Sequence, residues 1–211
     1  MNQANRVPLL LIAGLSLLFS SSLLAASIKR VEHSIDADDL DRIDIEVSVA
    51  EMDIEIHDGN TIELDITLEA NDGWWIFGRK DIDDVELSIS NRGNRLVLIL
   101  DEDDVEQDWR VRLPAHLAID LEIGVGDVDI DGLANDLILE MGVGSVQVDV
   151  ADMDFSSIHL QTGVGDSSLR GFGRGTDNER NFVGADSFYQ GDGEYQISVE
   201  VGVGEARVRR R

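Results

Sequence analysis

Apolar and polar residues alternate with a period of two through most of the chain beyond residue 27, the mark of strands with one buried face. Four of these segments run into the same tripeptide. Gly-Val-Gly stands at 124–126, 142–144, 163–165 and 202–204, at offsets of 18, 21 and 39 residues. The last offset is close to two periods of about 20 residues. Ser48-Val49-Ala50 is a fifth, weaker copy. Aligned on the tripeptide, the inward positions form rows. Ile43, Ile119, Leu137, Ile158 and Ile197 make the first. Ile45, Leu121, Leu139, Leu160 and Val199 make the second, and Val47, Ile123, Met141, Thr162 and Val201 the third. The central valines Val49, Val125, Val143, Val164 and Val203 continue the alternation as a fourth inward row.

After the tripeptide the phase slips by one residue. The next inward positions are Met52, Val128, Val146, Ser167 and Ala206, followed by Ile54, Ile130, Val148, Leu169 and Val208. A slip of one turns every later side chain to the other face unless the chain bends. Each repeat is therefore a strand, a corner and a shorter second strand. Gly124, Gly126, Gly142, Gly144, Gly163, Gly165, Gly202 and Gly204 are the structural corner residues. A unit this short cannot bury its own apolar face, but stacked units can. The pattern predicts an all-β fold, a β-solenoid-like stack of bent strands over residues 27–211. An antiparallel β-sandwich is the alternative.

The segments between copies fit the same picture. Ile62 to Leu68 alternates, Leu96 to Leu100 is apolar on both faces, and Trp109, Val111 and Leu113 lead into Pro114. Gly171 to Asn181 reads as a flexible excursion. Residues 1–26 differ in kind. Arg6 precedes an apolar run from Leu9 to Leu24, and Ala25-Ala26 offers small residues for cleavage. That order predicts a secretory signal peptide, export to the periplasm or cell surface, and no membrane-spanning segment after cleavage.

Charge narrows the partners. The net charge of −26 repels nucleic acid and anionic headgroups and favours cations or a basic partner. The chain has no cysteine, so neither a disulfide nor a thiolate zinc site is available. The four histidines are scattered without metal-ligand spacing. No nucleophile elbow, phosphate loop or zinc-protease motif occurs, which points away from an enzyme. Polysaccharide cleavage by a carboxylate pair such as Asp129 and Asp131 stays a remote alternative.

Two features remain as candidate sites. Outward carboxylates just after the corners, Asp127, Asp129, Asp131, Asp149 and Asp166, are hard-ion ligands in type, and calcium is the cation they would take. No other cofactor is implied. Trp74, Trp75, Ile76 and Phe77 form a dense apolar cluster, read either as a cap on the stack or as a contact loop for an envelope protein or glycan.

The Gly-Val-Gly-Asp corner at 124–127, its echoes, and the strand ending in Leu113-Pro114 resemble a bacterial family of adhesin-like β-strand-repeat domains of unknown function. The resemblance covers most of residues 28–211. It implies a solenoid-like fold in envelope or secreted proteins, a binding or scaffolding role, and no catalytic residues.

Overall fold

The computed structural model describes residues 28–70, 82–102, 104–173, 176–180 and 183–210. The leader 1–26 and the Trp74–Phe77 cluster lie outside these residues. The described chain forms twelve strands: β1 (Ile28–Asp36), β2 (Arg42–His57), β3 (Thr61–Ala70), β4 (Ser88–Asn91), β5 (Arg95–Leu100), β6 (Val105–Pro114), β7 (Ala118–Leu133), β8 (Leu137–Val150), β9 (Ser157–Arg170), β10 (Thr176–Arg180), β11 (Ala185–Gln190) and β12 (Gln196–Arg210). A short 3-10 turn at Ile82–Asp84 is the helical element among them. All twelve strands belong to one mixed sheet that does not close into a barrel.

The five repeat copies are β2, β7, β8, β9 and β12. Each is one long bent strand, and they pair in parallel in the order β2-β7-β8-β12-β9. The register is the one that the inward rows require: Ile43 pairs with Ile119, Ile119 with Leu137, and Ile197 with both Leu137 and Ile158. The rows on the two limbs fill a single core.

A sixth tier lies beside β2. The limb of β2 before the corner pairs in parallel with β5, and the limb after it pairs with β6. So β5 and β6 together are one more bent unit, linked between Leu100 and Val105 without a tripeptide. Trp109 is completely buried in this tier. Its indole N–H donates to Gln107 Oε1 at 3.0 Å, and Gln107 Nε2 donates to the carbonyls of Leu100 at 3.4 Å and Glu102 at 3.3 Å. This side-chain staple holds the link where the tripeptide is missing. The flanks are antiparallel: β3 pairs with β6 and β1 with β3, while β4 pairs with β5.

The copies do not stack in chain order, because β12 inserts between β8 and β9. Two expectations change. The excursion read at 171–181 contains β10, which forms a hairpin with β11 along the outer edge of β9. The central valines are not an inward row. Val125, Val143, Val164 and Val203 are 46–49% exposed. The face change is spread over the whole corner, so the buried series stops at Ile123 and resumes at Val128, and the valine between them rides outside the core.

The glycines have a common cause. A Cβ on Gly124 would meet the Ser48 carbonyl oxygen at 2.5 Å, and one on Gly142 would meet that of Gly124 at 2.5 Å. At the second glycine the overlap is worse. Cβ atoms on Gly126, Gly144, Gly204 and Gly165 would sit inside the carbonyl oxygens of Ala50, Gly126, Gly144 and Gly204. Each Cβ direction points at the preceding strand in the stack. On that side β2 faces Asp101 and the start of β6 instead of a tripeptide corner, which is why Ser48 and Ala50 can carry side chains.

The β8–β9 connection is tied down by Asp154. It accepts from the Tyr189 hydroxyl at 2.6 Å, the Asp192 N–H at 3.1 Å and Arg210 at 3.0 Å. These bonds, that from Tyr189 foremost, hold its pKa at about 2, below the usual 3.8. The folded state therefore binds this proton less readily than the unfolded chain. The stabilisation is complete above pH about 4 and disappears as pH falls toward 2. Asp154→Asn is expected to lower Tm at neutral pH, with the gap to the parent chain closing between pH 4 and pH 2 in a thermal melt series. A constant gap across that range would show that the carboxylate charge is not what matters.

Candidate functional site

Two outward surfaces flank the line of corners. The first lies on the limb before the corner. Glu46 pairs with Glu122, Glu122 with Glu140, and Glu140 with Glu200, so four exposed glutamates stand in register on four adjacent parallel strands. On β9 the position is Gln161. Neighbouring strands are about 4.8 Å apart, so this is a tight like-charge ladder. Like charges opposite one another on a sheet destabilise it. None of the four glutamates makes an ion pair among the described residues. Glu46, Glu122, Glu140 and Glu200 line a shallow groove whose floor includes Gly124, Gly142 and Gly202 and whose rim includes Val49 and Val125.

The second surface, beyond the corner, carries the carboxylates singled out from the sequence. Asp127, Asp129 and Asp131 lie on β7, Asp149 on β8 and Asp166 on β9. One row across the strands reads Arg112, Glu55, Asp131, Asp149, Arg209, Arg170. Acids in the middle of the stack are thus bracketed by arginines at both ends. Arg112 pairs with Glu55 at 3.4 Å and Glu63 at 2.9 Å. Arg209 takes both oxygens of the buried Asp149, its Nη2 at 2.7 Å. Arg207 pairs with Glu205. Asp127 accepts from the Ser145 hydroxyl. Partial burial, then Asp53, Asp127 and Asp149, push the pKa of Asp129 up, while Arg209 pulls it back.

The structure brings Asp129, Asp131 and Asp149 to one cleft, together with Arg110, Arg112 and Arg209. Asp127 sits at the edge of that surface and Asp166 lies two strands past Asp149, beyond β12. Among the described residues no three carboxylate or histidine side chains converge to hold a metal ion. The cleft is zwitterionic rather than purely acidic. The residues beyond the sequence expectation are the ladder glutamates. Their signal is present in the chain, since Glu122, Glu140 and Glu200 each stand two residues before a tripeptide.

These features define a class: an all-β rack of parallel bent strands that displays repeated side-chain rows on its outer faces. Residues 25–170 match the model for the N-terminal domain of toast_rack, DUF2154, and the chain belongs to that family. No curated protein sequence matches it. Among solved structures it is similar to a "putative cell adhesion protein" from Clostridium sporogenes, with 13% identity, a TM-score of 0.51, and coverage of 88% of this chain and 100% of that one. It is also similar to a "putative adhesin" from Bacteroides fragilis, at 9% identity and a TM-score of 0.31 over 87% of this chain and 97% of that one. At 13% identity the likeness to the Clostridium sporogenes structure concerns the fold. Among the described residues no helix is long and apolar enough to cross a membrane.

Proposed function

We propose that the protein is a non-catalytic binding scaffold, exported to the bacterial periplasm or cell surface, with an adhesin-like role toward an envelope protein or glycan. Residues 1–26 are its signal peptide and residues 27–211 its single β-repeat domain. The observation that carries the reading is the register of the five bent strands, which turns single exposed residues into continuous rows. Such rows suit recognition of an extended partner. Beyond the corner the acids of the cleft stand among arginines, and Arg209 holds Asp149. The name of the similar Clostridium sporogenes structure points the same way.

The test is to produce the full chain in a bacterial host, fractionate the cells and sequence the N-terminus. The protein is expected outside the cytoplasm, beginning just after Ala25 or Ala26, and to retain a ligand from an envelope extract or a glycan panel. Full-length protein confined to the cytoplasm would overturn the reading.

A further inference from the structure

The rows of charge on the two limbs are compensated differently: before the corner Asp120 pairs with Arg42 at 3.4 Å and Asp44 with Arg95 at 2.9 Å, but the glutamate row beside them is left without such a partner among the described residues. Beyond the corner, arginines at 112, 207 and 209 pair with the acidic rows. Before the corner, Glu46, Glu122, Glu140 and Glu200 repel one another across adjacent strands with no cation paired to them among the described residues. Three residues further along each strand, past the first glycine of the corner, runs the second unusual feature, the exposed valines. Val125, Val143 and Val203 pair in register at 46% exposure each, and Val164 continues the row at 49%. Exposed β-branched residues in a contiguous row mark a contact surface. An acidic ladder and an apolar row therefore lie parallel, both crossing the strands.

We propose that this double row is a docking surface for a basic amphipathic helix of a partner protein, its apolar stripe on the valines and its lysines or arginines on the glutamates. The proposal rests on the binding role inferred above and names the partner's chemistry. Charge complementarity selects a cation-bearing partner. Spacing selects the helix. The ladder advances by about 4.8 Å per strand, and a helix repeats a face about every 5.4 Å. A lysine stripe on a helix lying across the strands stays close to the carboxylates over three steps. An extended peptide repeats a face only every 6.6–6.8 Å or so and falls out of step sooner. A second copy of this chain offers no such helix among its described residues, and its Arg207, Arg209 and Arg210 are engaged in ion pairs.

The experiment uses the purified protein and three synthetic probes: a Lys/Leu amphipathic helix, a peptide of the same composition with the pattern scrambled, and poly-lysine. The amphipathic helix is expected to bind, more weakly as salt rises. The triple variant Glu122→Gln/Glu140→Gln/Glu200→Gln should weaken it about tenfold, the sum of three exposed ion pairs. Val125→Thr/Val143→Thr/Val203→Thr should weaken it as well, while Glu32→Gln/Asp58→Asn/Glu194→Gln, equal in charge change but elsewhere on the surface, should not. Equal binding by the scrambled peptide or poly-lysine, or an equal loss in the control variant, would overturn the proposal in favour of diffuse charge attraction. Undiminished binding by the glutamate variant would overturn it too. In the last case an exported protein that still captures an envelope ligand leaves the binding role standing, whereas a cytoplasmic location removes that role whatever the peptide does.

Discussion

Replacing Gly144 by alanine is expected to destabilise the protein by about 3 kcal/mol or more, far beyond a propensity effect of about 1 kcal/mol. The added Cβ has nowhere to go. It would overlap the Gly126 carbonyl oxygen, and that oxygen belongs to a backbone clamped between β2 and β8. A side chain in the way could rotate, but a ladder backbone cannot move without dragging its tier. Gly144 also has φ +147, which an L side chain resists. For a chain of this size the loss amounts to a Tm drop of roughly 6–12 °C. Gly93 is the matched control. Its φ is +73, yet a Cβ there meets nothing within 4 Å, so Gly93→Ala should cost only about 1–2 kcal/mol for the backbone conformation. Equal melting temperatures for the two variants would mean that close approach at the corner is not what the glycine serves.

The same geometry explains what could be read from the chain and what could not. The rows were legible because the strands are parallel and unshifted, so Ile119, Leu137 and Ile197 mark one level of the stack wherever their strands lie. That is also why the order was not legible. Ile197 fits beside Leu137 and beside Ile158 equally well, and the 39-residue gap before the last tripeptide leaves its slot open. The choice is made by β10 and β11. They occupy the outer edge of β9, and β12 fills the place between β8 and β9. The valines misled because alternation describes a straight strand, and Gly124 to Asp127 is not one. At the candidate site, residue type announced the acids but not their neighbours. Asp149 looks like a cation ligand in sequence, and only the lateral pairing of β8 with β12 reveals that Arg209 already holds it. The ladder glutamates are ordinary outward residues of single strands, and become a feature only once the strands are side by side.

The sixth tier was the least legible of all, since β5 and β6 carry no tripeptide to align, and it is where the other large effect is expected. Across the stack the first inward row after the corner reads Trp109, Met52, Val128, Val146, Ala206, Ser167. The side chains shrink from Trp109 through Met52 to the two valines and then to Ala206 and Ser167, so the largest of the row, the Trp109 indole, fills the level beside the corner at β6. Trp109→Ala should therefore cost about 3–5 kcal/mol, the range for emptying a large core site. The tier cannot collapse inward to recover the loss, because β6 is held on one side by β2 and on the other by β3. Trp109→Phe separates the two duties of the residue. Phenylalanine fills part of the volume but leaves the buried Gln107 Oε1 without its 3.0 Å donor, at about 1–3 kcal/mol. Adding Gln107→Leu to Trp109→Phe removes that orphaned acceptor, but it also removes the bonds to Leu100 and Glu102 that pin the link 101–104. If the indole acts through volume alone, denaturant titration will place Trp109→Phe close to the parent and the double variant close to Trp109→Phe. If the staple carries the corner, Trp109→Phe will be clearly destabilised. The double variant will then also expose the 101–104 link to limited proteolysis, as expected of a tier with no glycine corner to close it.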